Sequence, residues 1–130
     1  MQMKHLLLLA CVLLAINVSA QNNRNDTAIY SHVEVMPKPD YDLKQYLDLN
    51  IHYPEAARTH DIEGRVLIKF VVYESGRIGN CTVVSGIGSG CDQEALRVVK
   101  SMPPWDPGEK DGRAVKVYFT LPIVFKLVDY

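Results

Sequence analysis

The residues of this 130-residue chain with the chemistry for a reactive site are two cysteines, two histidines and a few acids and serines beside a glycine-rich loop. Cys91 stands where a helical pattern begins, and a helix N-terminus lowers a thiol pKa towards the reactive thiolate. Cys81 has the phase of a core-facing strand residue, where a thiol behaves as a small inert hydrophobe. A strand and a helix start can also approach within the roughly 4.4–6.8 Å between Cα atoms that a disulfide spans. Two buried thiols and a Cys81–Cys91 disulfide fit the pattern equally; redox catalysis at Cys91 is the remaining alternative.

The other candidates lack the partners their chemistry needs. His52 and His60 are eight apart with Pro54 between them, and no Cys-x-x-Cys or His-x-x-x-His spacing joins either. A metal needs convergent ligands, so no metal site is expected. Asp61 and Glu63 are close enough to suggest a glycosidase pair, yet nothing nearby separates their proton affinities. Ser85, Ser89 and Ser101 lack a nucleophile elbow. Gly86-x-Gly88-x-Gly90 precedes a helix without the βαβ unit that a dinucleotide site requires, and reads as a connection. The expectation is a protein that is not an enzyme and has no cofactor.

Length and composition agree. One domain of ordinary size fits 130 residues, 48% hydrophobic and 22% charged. The formal charge is −1 with no run of Lys or Arg, which excludes a nucleic-acid binder held by phosphate neutralisation. No repeat appears at solenoid or propeller periods. Residues 1–20 read as a secretory signal: Lys4, an apolar run from Leu6 to Ile16, then Val18-Ser19-Ala20 before Gln21. The run is shorter than the roughly 18–20 residues that span a bilayer. An uncleaved inner-membrane anchor is the alternative, and a lipoprotein-type cut at Leu8-Leu9-Ala10-Cys11 a weaker one. Cleavage after Ala20 removes Cys11 and leaves Cys81 and Cys91 in a compartment where disulfides can persist.

The elements that must position any site follow from periodicity. Residues 21–40 are polar or proline-broken and read as a flexible lead-in to a domain over residues 41–130. Asn25 and Asn80 begin short glycosylation sequons that carry no weight alone. Asp40 is placed to cap a helix whose Leu43, Tyr46 and Leu47 share one face. Pro54 suits the first position of a second helical turn. From Arg65 to Tyr73 the period is two, with Val66, Ile68, Phe70 and Val72 on one face. Gly76 supplies a hairpin turn, and the return strand Ile78–Val84 needs a bulge near Gly79 to bring Cys81 and Val83 into phase with Ile78. Asp92 to Met102 is the clearest helix, with acids in its first turn and Pro103-Pro104 beyond its end. Trp105, held between prolines, is placed to pin the next loop to the core. The final strand carries Val115, Val117, Phe119, Leu121, Ile123, Phe125 and Leu127 on one face.

This order implies an α+β fold: a three-stranded antiparallel sheet with two to three helices on one face. The first strand is central and the last is an edge, consistent with Pro122, which has no N–H for a ladder.

Several of these pieces occur together in one known family. Tyr53-Pro54-Glu55-Ala56-Ala57, Ile62-Glu63-Gly64-Arg65-Val66, Phe70-Val71-Val72 and Ser75-Gly76-Arg77-Ile78 are followed by Asp92-Gln93-Glu94-Ala95-Leu96, by Met102-Pro103-Pro104-Trp105-Asp106-Pro107-Gly108 and by Leu121-Pro122-Ile123-Val124-Phe125. In this order the chain resembles the TonB C-terminal domain family over roughly Leu49 to Leu127. The resemblance implies a periplasmic domain of TonB-dependent transport that engages a short segment of an outer-membrane receptor by β-strand addition beside the last strand. Carried onto this chain, the partner-binding residues are His52, Tyr53 and Pro54 with Val115, Lys116, Val117, Tyr118, Phe119, Thr120 and Leu121. The primary role read for Tyr53 itself is to fix the entry into the Pro54 helix, ahead of contacting a ligand alone.

An edge strand does offer unpaired main-chain groups to an extended peptide. If the Pro122 nitrogen faces outward, pairing ends there and the register runs from Lys116 to Thr120. A full transducer of this family also has an anchor and a long spacer. Here roughly thirty residues separate the signal from the region of resemblance that begins near Leu49, at most about 100 Å of extended chain. The competing expectation is a structural or regulatory module that forms a homodimer through the same edge. Contact with a membrane is expected only if the N-terminal segment stays uncleaved.

Overall fold

The computed structural model describes residues 27–128; the expected signal at residues 1–20, with Cys11, and residues 21–26 lie outside them. The elements are β1 (Ile29–Tyr30), α1 (Leu43–Asn50), α2 (Glu55–Thr59), β2 (Gly64–Val72), β3 (Ile78–Ser85), α3 (Cys91–Lys100), β4 (Gly108–Lys110) and β5 (Arg113–Phe125). The class is α+β, and β2 is central: it pairs antiparallel with β3 on one side and with β5 on the other. Val66, Ile68, Phe70 and Val72 are fully buried, together with Ile123 and Phe125 of β5 and Ala95 and Val99 of α3. This core cluster draws all its buried members from residues 57–125.

Local chemistry sets the boundaries. Asp42, not Asp40, caps α1, its carboxylate accepting the Gln45 N–H at 3.0 Å. Pro54 sits at the cap position of α2 with φ −61°. The expected bulge lies at Asn80–Cys81: Lys69 pairs with Thr82 and Val71 with Gly79, so two residues stand opposite Phe70. Asn80 takes φ +51° there. Gly76 takes φ +84° in the hairpin turn, and its carbonyl accepts the Trp105 N–H at 2.9 Å. Trp105 pins its loop as expected, with its ring edge-to-face on Phe70 and on Phe119 at 5.3 and 4.9 Å. Its indole N–H donates to the Tyr41 hydroxyl.

Two expectations are corrected. Residues 27–40 are not a loose lead-in but a strap. Ile29 and Tyr30 pair parallel with Lys116 and Val117 of β5, Val35 bridges Glu109, and Lys38 bridges Asp106. Pairings one or two residues long leave no periodicity in a sequence. Gly108 makes them fit: a Cβ there would lie 2.6 Å from Val117 Cγ2 and 3.2 Å from both Pro37 Cδ and the Val35 carbonyl oxygen.

The second correction concerns the edge. Among the described residues, the last strand is an open edge only beyond Val117, because β1 lies along Lys116 and Val117 and β4 pairs with Arg113–Val115. The five-stranded sheet runs β1-β5-β2-β3, with β4 attached to β5.

Candidate functional site

α1 is amphipathic, with Leu43 and Leu47 one turn apart and Ile51 a turn further on, yet none of its residues is fully buried. It is held against α3 by the Tyr46 hydroxyl, which donates to the Val98 carbonyl at 3.0 Å, and by Arg97, whose guanidinium donates to the Asn50 carbonyl at 2.7 Å. Its apolar stripe therefore lies partly on the core and partly over open space. That space is a groove of about 610 Å³ between α1 and the end of β5, walled by Leu43, Leu47, Ile51, Pro122 and Val124. Lys44, Asp48 and Lys126 complete its lining. A smaller hollow of about 160 Å³ continues it to Tyr53 and Phe125.

Among the described residues, no strand pairs with the outer side of β5 beyond Val117, and Pro122 indicates which main-chain groups that leaves. In an antiparallel pair, opposed residues alternate between bonded and non-bonded positions. Pro122 stands opposite Leu67 and has no N–H, so the β2–β5 bonds fall to the Phe119, Leu121 and Ile123 set. The main-chain groups of Thr120 and Val124, and the Pro122 carbonyl, then turn to the groove side. This is a short acceptor-and-donor edge beside an apolar wall, the arrangement that strand addition uses.

The expected site residues divide accordingly. Tyr118, Phe119, Thr120 and Leu121 lie on the unflanked part of β5, whereas Val115, Lys116 and Val117 already have neighbours in β4 or β1. Of the Lys116–Thr120 register, the first two positions are thus occupied by the chain itself. Tyr53 reaches the far end of the groove: its ring packs edge-to-face on Phe125 at 5.7 Å, and its hydroxyl donates to the Ile62 carbonyl. Burial pushes its phenol pKa up. Pro54 packs near Gly90, and His52 is exposed, its N–H donating to Glu94 Oε1 at 3.3 Å. Leu43, Leu47, Ile51, Val124 and Lys126 were not anticipated. The stripe at i and i+4 was readable, but a groove wall and a core face give the same stripe.

Glu94 and Arg97 hold the segment before Tyr53 in place. The Arg97 guanidinium donates to both carboxylate oxygens of Glu94, from Nε at 3.0 and 3.1 Å. Burial alone would raise the Glu94 pKa, but Arg97 and the His52 N–H outweigh it and hold it below the ordinary carboxylate value. A carboxyl lowered on folding stabilises above its unfolded pKa of about 4.3, and the gain disappears as pH falls through the lower folded value. Arg97 is half exposed, which limits the effect to about 1 kcal/mol. Glu94→Gln should therefore lower the urea midpoint above pH 5 and converge with the parent protein in stronger acid. A gap that persists unchanged at pH 3 would contradict this assignment.

Cys81 and Cys91 are both free thiols, Cys91 fully buried. Burial raises both pKa values, and Asp92 raises that of Cys91 further. Both shifts run against the lowering that a helix start gives a thiol. Among the described residues, no three His, Cys, Asp or Glu side chains converge as metal ligands.

A family model described as the Gram-negative bacterial TonB protein C-terminal matches residues 50–127. Among solved structures, the solution structure of the Helicobacter pylori TonB C-terminal domain (residues 179–285 of that protein) superposes with a TM-score of 0.51 at 23% identity, covering 67% of this chain and 78% of its own. A shorter form of the same domain (residues 194–285 of that protein) gives 0.52 at 24%, covering 68% and 92%. No curated protein sequence matches the chain.

Proposed function

Since the chain belongs to the Gram-negative bacterial TonB C-terminal family across residues 50–127, we propose that it is a periplasmic protein-binding domain that takes up an extended outer-membrane receptor segment by strand addition to β5. The observation that carries this reading is the apolar groove beside the unflanked stretch of β5. Main-chain bonding supplies affinity with little regard to sequence, and the Leu43–Leu47–Ile51 wall accepts apolar side chains at alternate positions. The register centres on Pro122, with donors at Thr120 and Val124 on either side of it. The strap at Ile29–Tyr30 limits the segment's length, because it occupies β5 at Lys116 and Val117. Self-association through the same edge is disfavoured, since two copies paired about this stretch would each present Pro122 where a donor is needed.

The test is hydrogen exchange with a synthetic peptide copied from the N-terminal segment of an outer-membrane receptor of the same genome. Binding should protect the Thr120 and Val124 amides, and a chain beginning at Val33 should bind about three- to tenfold more tightly, since about two competing main-chain bonds are removed. Peptide binding that leaves both amides unprotected overturns the site, and concentration-dependent dimerisation without peptide binding favours the homodimer instead.

A further inference from the structure

The helices pack on the face of the sheet built from Val66, Ile68, Phe70 and Val72. Strand alternation and register put Arg65, Leu67, Lys69 and Val71 of β2 on the opposite face, beside Lys116, Tyr118 and Thr120 of β5 and Thr82 of β3. Tyr73 and Arg77 extend this face past the hairpin. A Cβ at Gly79 would lie 2.7 Å from the Tyr73 ring and 3.1 Å from an Arg77 nitrogen, so both side chains lean over the sheet there. Arg65, Lys69, Arg77 and Lys116 thus share one surface, on a chain whose net charge is −1. Among the described residues, Glu74 is the one carboxylate paired with any of them, 3.8 Å from the Lys116 ammonium.

How these cations are held matters. Lys69 lies 4.2 Å from the centre of the Tyr118 ring, and the Arg77 guanidinium 4.1 Å from that of Tyr73. A cation braced by a ring rather than by an acid keeps its full charge for an outside partner. The sheet face offers cations and tyrosines spread over a broad surface. Tyrosine suits the polar boundary of a bilayer, where one end of the ring is apolar and the other wet.

We propose that this face docks on a lipid surface carrying anionic phosphate headgroups. Charge complementarity selects the partner, and the spread of the four cations over the sheet favours an extended surface over a single polyanionic strand. The proposal rests on different groups from strand addition: the side chains of Thr120, Pro122 and Val124 share this face by register, whereas strand addition uses their main-chain groups, which point sideways from it.

The test uses the chain from Gln21, which keeps every described element and removes the apolar leader. It is mixed with phosphatidylcholine vesicles prepared with and without phosphatidylglycerol, and binding is read by flotation. Binding to the anionic vesicles alone, weakened by added salt, is the expected result. Lys69→Gln with Arg77→Gln should reduce it at least tenfold, at about fivefold per cation, while Arg58→Gln with Lys100→Gln, both on helices of the other face, should leave it unchanged. Circular dichroism verifies that each variant is folded. Failure to bind anionic vesicles, equal binding to neutral vesicles, or equal loss in both double variants overturns the proposal.

Discussion

Gly76→Ala is expected to destabilise the domain by about 4 kcal/mol. Three costs add at one atom. The residue takes φ +84°, which for alanine costs about 1–2 kcal/mol. Its new methyl would lie 1.9 Å from the Trp105 carbonyl oxygen, a main-chain atom that cannot turn aside, and forced overpacking costs about 1–3 kcal/mol. Relieving that clash moves Trp105, whose N–H bond to Gly76 contributes about 1 kcal/mol and whose ring packs on Phe70 and Phe119. Against a total stability of about 5–15 kcal/mol this is a large fraction. Gly88→Ala isolates the conformational part: φ is +75° there, but nothing lies within 4 Å of the added carbon. Urea unfolding of the two variants should differ by at least about 2 kcal/mol. Equal midpoints would show that the loop yields and that Trp105 is not anchored through Gly76.

The largest functional effect is expected from Val124→Glu. Val124 is 57% exposed, so its replacement should change stability by no more than about 0.5 kcal/mol. It nevertheless lines both the groove and the hollow that continues it to Tyr53. A carboxylate there interrupts the apolar wall between Pro122 and Ile51 and has to be desolvated when a peptide covers it. Affinity for the receptor peptide should fall at least about tenfold, by roughly 1.4 kcal/mol or more. Calorimetric titration of the variant measures this directly. Undiminished binding by a folded variant would place the peptide elsewhere on the domain.

How far the sequence could be read depended on the reach of each contact. β2, β5 and α3 repeat their apolar residues over nine, thirteen and ten positions, so period alone located them. The central place of β2 followed from topology, and the bulge from the phase conflict between Ile78 and Cys81. β1 has two residues and β4 three, and both exist because of what lies beside them. One local sign of β4 was present and passed over: Asp111-Gly112, with φ +52° and +74°, forms the two-residue turn that joins β4 to β5. The groove was hidden for another reason. Leu43 and Leu47 announce an apolar face, and only the packing of α1 on α3 determines that part of this face is left uncovered.

The nine consecutive pairs between β2 and β5, from Gly64 opposite Phe125 to Val72 opposite Val117, have a mechanical consequence. A pull along the axis of β5 loads these bonds in shear, so the tension is shared along the strand and rupture demands that many yield together. The same pull across the strands would peel them apart one after another from an end.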